Sequence, residues 1–208
     1  MLVKDIFQLE NTALIAEKLL GHLLTFETPA GIVSGYIVDC EAYVGPLDAA
    51  SHSFGGRQTP RLRAMYQSAG TIYAYIMHTH LLLNLVTQKS GSPQGVMIRA
   101  IEPAAGLEIM EKNRNKVGVN LTNGPGKLTQ AMGLTKDIYG TNIFSGPLKV
   151  SDIKKTPVKI ITAPRIGIPN KGVWTLAPLR FYVAGNPYVS QIKKSEVDEF
   201  HGWSHYVN

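Results

Sequence analysis

Two polar residues sit in otherwise apolar runs, and they define the chemistry open to this chain. Arg99 interrupts Val96-Met97-Ile98 and Ala100-Ile101, and Asn84 interrupts Leu81-Leu82-Leu83 and Leu85-Val86. An unpaired guanidinium buried in such a strand is strongly destabilising, so Arg99 requires a carboxylate or an anionic ligand. The acids of this half of the chain that qualify are Glu41, Asp48 and Glu102, and Glu41 lies in Glu41-Ala42-Tyr43 directly after an apolar stretch. An Arg99–Glu41 pair would keep the carboxylate ionised, able to accept a proton from water or to stabilise a nascent cation. From the residues alone, a plain core salt bridge is the commoner explanation of such a pair.

Aromatic residues suggest a partner for that carboxylate. Tyr73 and Tyr75 are two apart on one expected strand and share a face, and with Tyr43 and His52 they could form a stacking pocket for a planar base. Ordinary sheet core also uses this spacing. His78 and His80, again two apart, fit a metal pair or a strand end; no Asp or Glu stands beside them, so no metal site is expected. The single cysteine, Cys40, cannot close an intramolecular disulfide, and there is no Cys-x-x-Cys.

These residues need a scaffold. A helix near residues 12–20 places Ile15 and Leu19 on one face, and strands at 22–28 and 32–39 are joined across Pro29-Ala30-Gly31. Glu41 then falls just beyond a strand end. Residues 44–70 read as a long functional loop, followed by strands at 71–77, 81–87 and 96–101 and a helix around 104–114. Asn123-Gly124-Pro125-Gly126 precedes a second helix with Gly133 at its C-terminal end, and late strands are expected at 158–163 and 179–184. The pattern predicts an α+β fold: one compact domain on a curved, largely antiparallel sheet with flanking helices.

The 208 residues, 44% hydrophobic, suffice for one core and are short for two. No apolar run is long enough to span a bilayer, and the first residues lack an export signal, which leads us to expect a cytoplasmic protein. The net charge of +6 is uneven: residues 105–208 hold 14 Lys and Arg against 7 Asp and Glu, and no acid lies between Asp48 and Glu102. That distribution suits a polyanionic partner, although a high pI also serves solubility alone.

Taken together, Asp39-Cys40-Glu41-Ala42-Tyr43, Asp48-Ala49-Ala50-Ser51-His52-Ser53 and Gly55-Gly56-Arg57-Gln58-Thr59-Pro60-Arg61 resemble the alkyladenine (3-methyladenine) DNA glycosylase family in its bacterial form. The likeness continues in order through Ile72-Tyr73-Ala74-Tyr75-Ile76, Ile98-Arg99-Ala100-Ile101-Glu102-Pro103, Asn123-Gly124-Pro125-Gly126-Lys127-Leu128 and Pro178-Leu179-Arg180-Phe181-Tyr182-Val183, ending near Ser190. The resemblance implies a monofunctional enzyme that flips an alkylated or deaminated purine from duplex DNA and hydrolyses its N-glycosidic bond, without cofactor, metal or Lys Schiff base.

In that reading Glu41 activates the water, Arg99 helps hold it, and a main-chain carbonyl near Arg165-Ile166-Gly167 makes a third contact. Tyr43, His52 and Tyr75 sandwich the base, and Asn84 excludes the 2-amino group of guanine. Arg57, Arg61, Arg63 and Lys127 are the expected DNA-backbone contacts. Many relatives fill the gap left by the flipped nucleotide with a tyrosine; here the corresponding stretch is Ile76-Met77-His78-Thr79-His80, and His78 is the candidate wedge. A monomer at the nucleoid is expected, with residues 1–190 as the catalytic domain and 191–208 as a tail without assigned role. Two rival classes stand beside this one: a nucleic-acid-binding protein without activity, and a metal-dependent hydrolase built on His52, His78 and His80.

Overall fold

The computed structural model describes residues 1–204. Eight strands form one sheet: β1 (His22–Thr28), β2 (Gly31–Tyr43), β3 (Ile72–Met77), β4 (His80–Val86), β5 (Gly95–Ala105), β6 (Leu148–Lys154), β7 (Ile160–Ala163) and β8 (Arg180–Val183). The main order is β3-β4-β5-β2-β1-β6, with β8 pairing both β2 and β7, and all pairings are antiparallel. Four helices flank it: α1 (Val3–Ile6), α2 (Thr12–Leu19), α3 (Leu107–Arg114) and α4 (Pro125–Ala131). The expected α+β class is therefore the observed one.

The strand that positions the site is β2. Its first part pairs with β1 (Tyr36 opposite Leu23), its later part with β8 (Glu41 opposite Arg180), and most of its length with β5. Register shifts between Ile37 and Cys40 mark a bulge, which bends a strand and strengthens its twist. From Ile37 to Ala42 every residue is buried: Ile37, Val38, Cys40 and Ala42 share a core cluster with Ile15, Ala16 and Leu19 of α2, while Asp39 and Glu41 are engaged by Arg180 and Arg99.

Two expectations need correction. The strand does not stop at Asp39 but runs through Glu41 to Tyr43; charged residues argue against strand interior only while unpaired, and here arginines pair them. Strand β6 was not expected at all. Leu148 and Val150 are buried while Lys149 is exposed, an edge-strand alternation obscured by the charged residues of LKVSDIK.

Candidate active site

Glu41 is fully buried and makes three contacts that each favour its ionised form. Arg99 Nη1 lies 3.0 Å from Oε1, the Ile166 amide donates to Oε1 at 2.7 Å, and the Tyr43 hydroxyl donates to Oε2 at 2.9 Å. Burial opposes them and dominates: the Glu41 carboxyl is pushed above its usual value, with Asp39 adding to the rise and Arg99, Ile166 and Tyr43 limiting it. Such a group is a better proton acceptor than a solvated glutamate. Of the three acids considered for Arg99, Glu41 is the partner; Asp48 and Glu102 are engaged elsewhere. The 165–167 segment meets Glu41 through the N–H of Ile166, which is a different contact from the expected one of a main-chain carbonyl to the water.

Beside Glu41 opens a slot of about 70 Å³, lined by Tyr43, His52, Tyr73, Tyr75 and Asn84 among others. Tyr73 and Tyr75 share a face as their spacing requires, with rings 5.3 Å apart and 29° from parallel. His52 packs edge-on against Tyr75, its centroid 4.6 Å away, and its Nδ1 hydrogen-bonds the Tyr73 hydroxyl at 2.9 Å. Burial, then Arg61 and Arg57, lower the His52 pKa, so the imidazole is neutral at neutral pH. Burial, and then Glu41, push the Tyr75 hydroxyl up to about 12, and it stays protonated. Asn84 donates to the Tyr73 carbonyl at 3.2 Å and is buried at the slot wall.

The loop carrying His52 is held from below. Asp48 accepts from the amides of Val44 (3.3 Å) and Ala50 (2.9 Å) and forms a fully buried bidentate pair with Arg165. Arg165 also donates to the Ala42 carbonyl at 3.0 Å and lies 4.7 Å from the Tyr43 ring centroid. Tyr139 pins the next turn, accepting from the Ala64 amide at 2.9 Å and donating to the Arg61 carbonyl at 3.0 Å. The sequence offered Asp48 only as a candidate acid for Arg99 and Arg165 only as part of a main-chain contact; their pairing, and the part played by Tyr139, emerge from the fold. A signal existed for one of them: Arg165, like Arg99, is a guanidinium within an otherwise uncharged stretch, and it too needed an acid.

Arg57, Arg61 and Arg63 are exposed, and Arg61 approaches the Tyr75 ring of the slot, its Cζ 5.9 Å from the centroid. Lys127 is half-buried, donating to Asn123 Oδ1 at 2.7 Å. The preceding Gly126 is required because a Cβ there would lie 2.6 Å from the Cβ of His80, so α4 abuts the β3–β4 hairpin. His78 and Thr79 form the two-residue tip of that hairpin, both exposed and both at positive φ (45° and 74°). That geometry suits Asn-Gly and is costly for a β-branched residue such as Thr79. Among the described residues no group of three or more His, Cys, Asp and Glu side chains comes together as a metal site.

With this geometry in view, comparison with known proteins is specific. Residues 6–187 match the family of methylpurine-DNA glycosylases, and the chain belongs to that family of DNA repair enzymes. Proteins provisionally named 3-methyladenine DNA glycosylase are similar over nearly their whole length. That of Enterococcus faecalis is 56% identical over 207 residues, covering 98% of this chain and 90% of that protein. Those of Staphylococcus carnosus (52%; 90% and 92% covered) and Lactiplantibacillus plantarum (49%; 93% of each) follow.

Proposed function

We propose that this DNA glycosylase takes alkylated or deaminated purines, of the 3-methyladenine, 7-methylguanine, hypoxanthine and ethenoadenine class, out of duplex DNA and hydrolyses the bond from C1′ to the base. The observation that carries the reading is Glu41: a buried carboxylate fixed by Arg99 and the Ile166 amide beside a slot lined by tyrosines and a neutral histidine. Water attacks C1′ as the glycosidic bond breaks, the base leaves with the bonding electrons, and Glu41 takes the proton from the water. The negative charge also stabilises the oxocarbenium-like sugar. An N-alkylated purine is already cationic and leaves neutral, so it needs no general acid. The reaction consumes water and leaves an abasic site; no Lys Schiff base, and hence no strand cleavage, is part of it.

Tyr43, His52 and Tyr75 stack on the base, and Asn84 rejects the guanine 2-amino group. His78, at the strained tip of the β3–β4 hairpin, fills the gap in the DNA. Arg57, Arg61, Arg63 and Lys127 hold the phosphates, in a monomer acting at the nucleoid. The test is incubation in EDTA with duplexes bearing each lesion, followed by alkali to cut abasic sites. Lesion-dependent breaks that appear only after alkali support a metal-free monofunctional glycosylase. Breaks lost in EDTA would support the metal hydrolase instead, and no breaks on any lesion would reject the activity.

A further inference from the structure

The mechanism uses Glu41 and Arg99 but leaves a second buried carboxylate beside them without a role. Asp39, two residues before Glu41 on β2, is fully buried. Arg180 grips it with Nε to Oδ1 at 3.0 Å and Nη2 to Oδ2 at 2.8 Å, and the Ser190 amide donates to Oδ2 at 3.1 Å. On the other side, Arg99 Nε stands 3.9 Å from Asp39 Oδ2 and, though buried, has no hydrogen-bond partner among the described residues. Arg99 thus lies between two carboxylates, bonded to Glu41 through Nη1 and facing Asp39 with an unused donor. The outer guanidinium is itself placed, donating to the Ser190 carbonyl at 2.8 Å and lying 4.6 Å from the Tyr182 ring centroid.

This order of charges, Arg180, Asp39, Arg99, Glu41, has a chemical consequence. A glutamate paired with an undivided guanidinium in a dry site would be a poor base, because the pair stabilises the ionised form. We propose that Asp39 is a positioning residue for the reaction: by sharing Arg99 it leaves Glu41 incompletely neutralised and basic, and Arg180 sets how much of Asp39 is free to do so. The inference rests on Glu41 being the base. The other groups facing Glu41 include the Ile166 amide, the Tyr43 hydroxyl and, more remotely, Tyr75 and the neighbouring Cys40 thiol, and these are unchanged in the variants that test it.

The test is the pH profile of single-turnover excision of 7-methylguanine, whose departure needs no proton, so that the acid limb reports the base. Asp39→Asn keeps the shape and one acceptor but removes the negative charge, and should move the limb to lower pH by about one unit and lower the plateau rate. Arg180→Gln should move it the opposite way, since Asp39 then draws more on Arg99 and a positive charge is lost. Arg180→Lys, which keeps the charge, should return it toward wild type. Both first variants weaken a buried pair and lower Tm, so shifts in opposite directions cannot come from lost stability. Limbs that stay put, or move together, while rates follow Tm would overturn the proposal and leave a structural salt bridge. Should Asp39→Asn not fold, the contrast between Arg180→Gln and Arg180→Lys decides alone, and equal limbs in those two overturn it. Failure of the underlying reading shows separately: an acid limb that persists in Glu41→Gln would mean Glu41 is not the base.

Discussion

At the scale of single residues, the site is a set of polar groups made tolerable in an apolar interior by their partners. Tyr43 has two separable roles, a ring facing the slot and a hydroxyl on Glu41. Tyr43→Phe keeps the ring and removes a donor that holds the Glu41 pKa down, so the acid limb for 7-methylguanine should move to higher pH and excision below neutrality should fall. A limb at its original position would show that the hydroxyl does not act on Glu41. The exclusion role of Asn84 predicts that Asn84→Ala or Asn84→Ser releases some normal guanine from undamaged DNA; release at background would remove that role. Arg99 and Asn84 were legible in the sequence because each breaks an apolar run, and Glu41 because Arg99 needed an acid. Asp39 and Arg180 were not, because a partner 141 positions away is invisible until β2 and β8 are paired.

At the scale of elements, the β3–β4 hairpin shows why a strained turn is informative. A two-residue turn with both φ values positive is natural for Asn-Gly, yet this chain has His78-Thr79. Replacing the tip by Asn-Gly should therefore raise Tm, relieving strain of about 1–3 kcal/mol, while weakening lesion binding in duplex. If His78 is the wedge, His78→Ala should impair excision of paired hypoxanthine more than of hypoxanthine in a bulge, where extrusion costs less. Equal losses on both substrates would reject it. Most strands and helices followed from periodicity, but their ends did not. The extension of β2 to Tyr43 depends on Arg99 and Arg180 neutralising its acids, and β6 depends on an edge of β1 that its own sequence does not reveal.

At the scale of the whole molecule, two long-range features matter. The exposed Arg57, Arg61 and Arg63 and the basic second half should make DNA affinity fall steeply with salt; a flat dependence would turn that surface toward another partner. The second feature is Glu102, which ties the C-terminal segment to β5. It accepts from Lys155 Nζ at 2.8 Å, Asn186 Nδ2 at 2.5 Å and Trp203 Nε1 at 2.7 Å, and Trp203 is buried against Tyr36. Burial raises the Glu102 pKa, but these donors outweigh it and hold the carboxyl below its usual value. The resulting stability is present above the ordinary carboxylate range and is lost as pH falls through the lowered value. Trp203→Phe should cost about 1.5–3 kcal/mol at neutral pH, seen as a lower Tm, with the gap to wild type closing toward acid. An equal gap at all pH values would mean that Trp203 contributes packing alone. None of this was legible in residues 191–208, whose composition gives no sign that an indole there reaches a carboxylate on a central strand.

The claim on which the account turns is that Glu41 is the base rather than half of a core salt bridge. Single-turnover excision of 7-methylguanine and hypoxanthine by Glu41→Gln, alongside its affinity for the same duplexes, separates the two. Lesion binding should stay within a few-fold of wild type while excision falls by at least ~10²-fold. Excision near the wild-type rate by a folded, DNA-binding Glu41→Gln variant would contradict it.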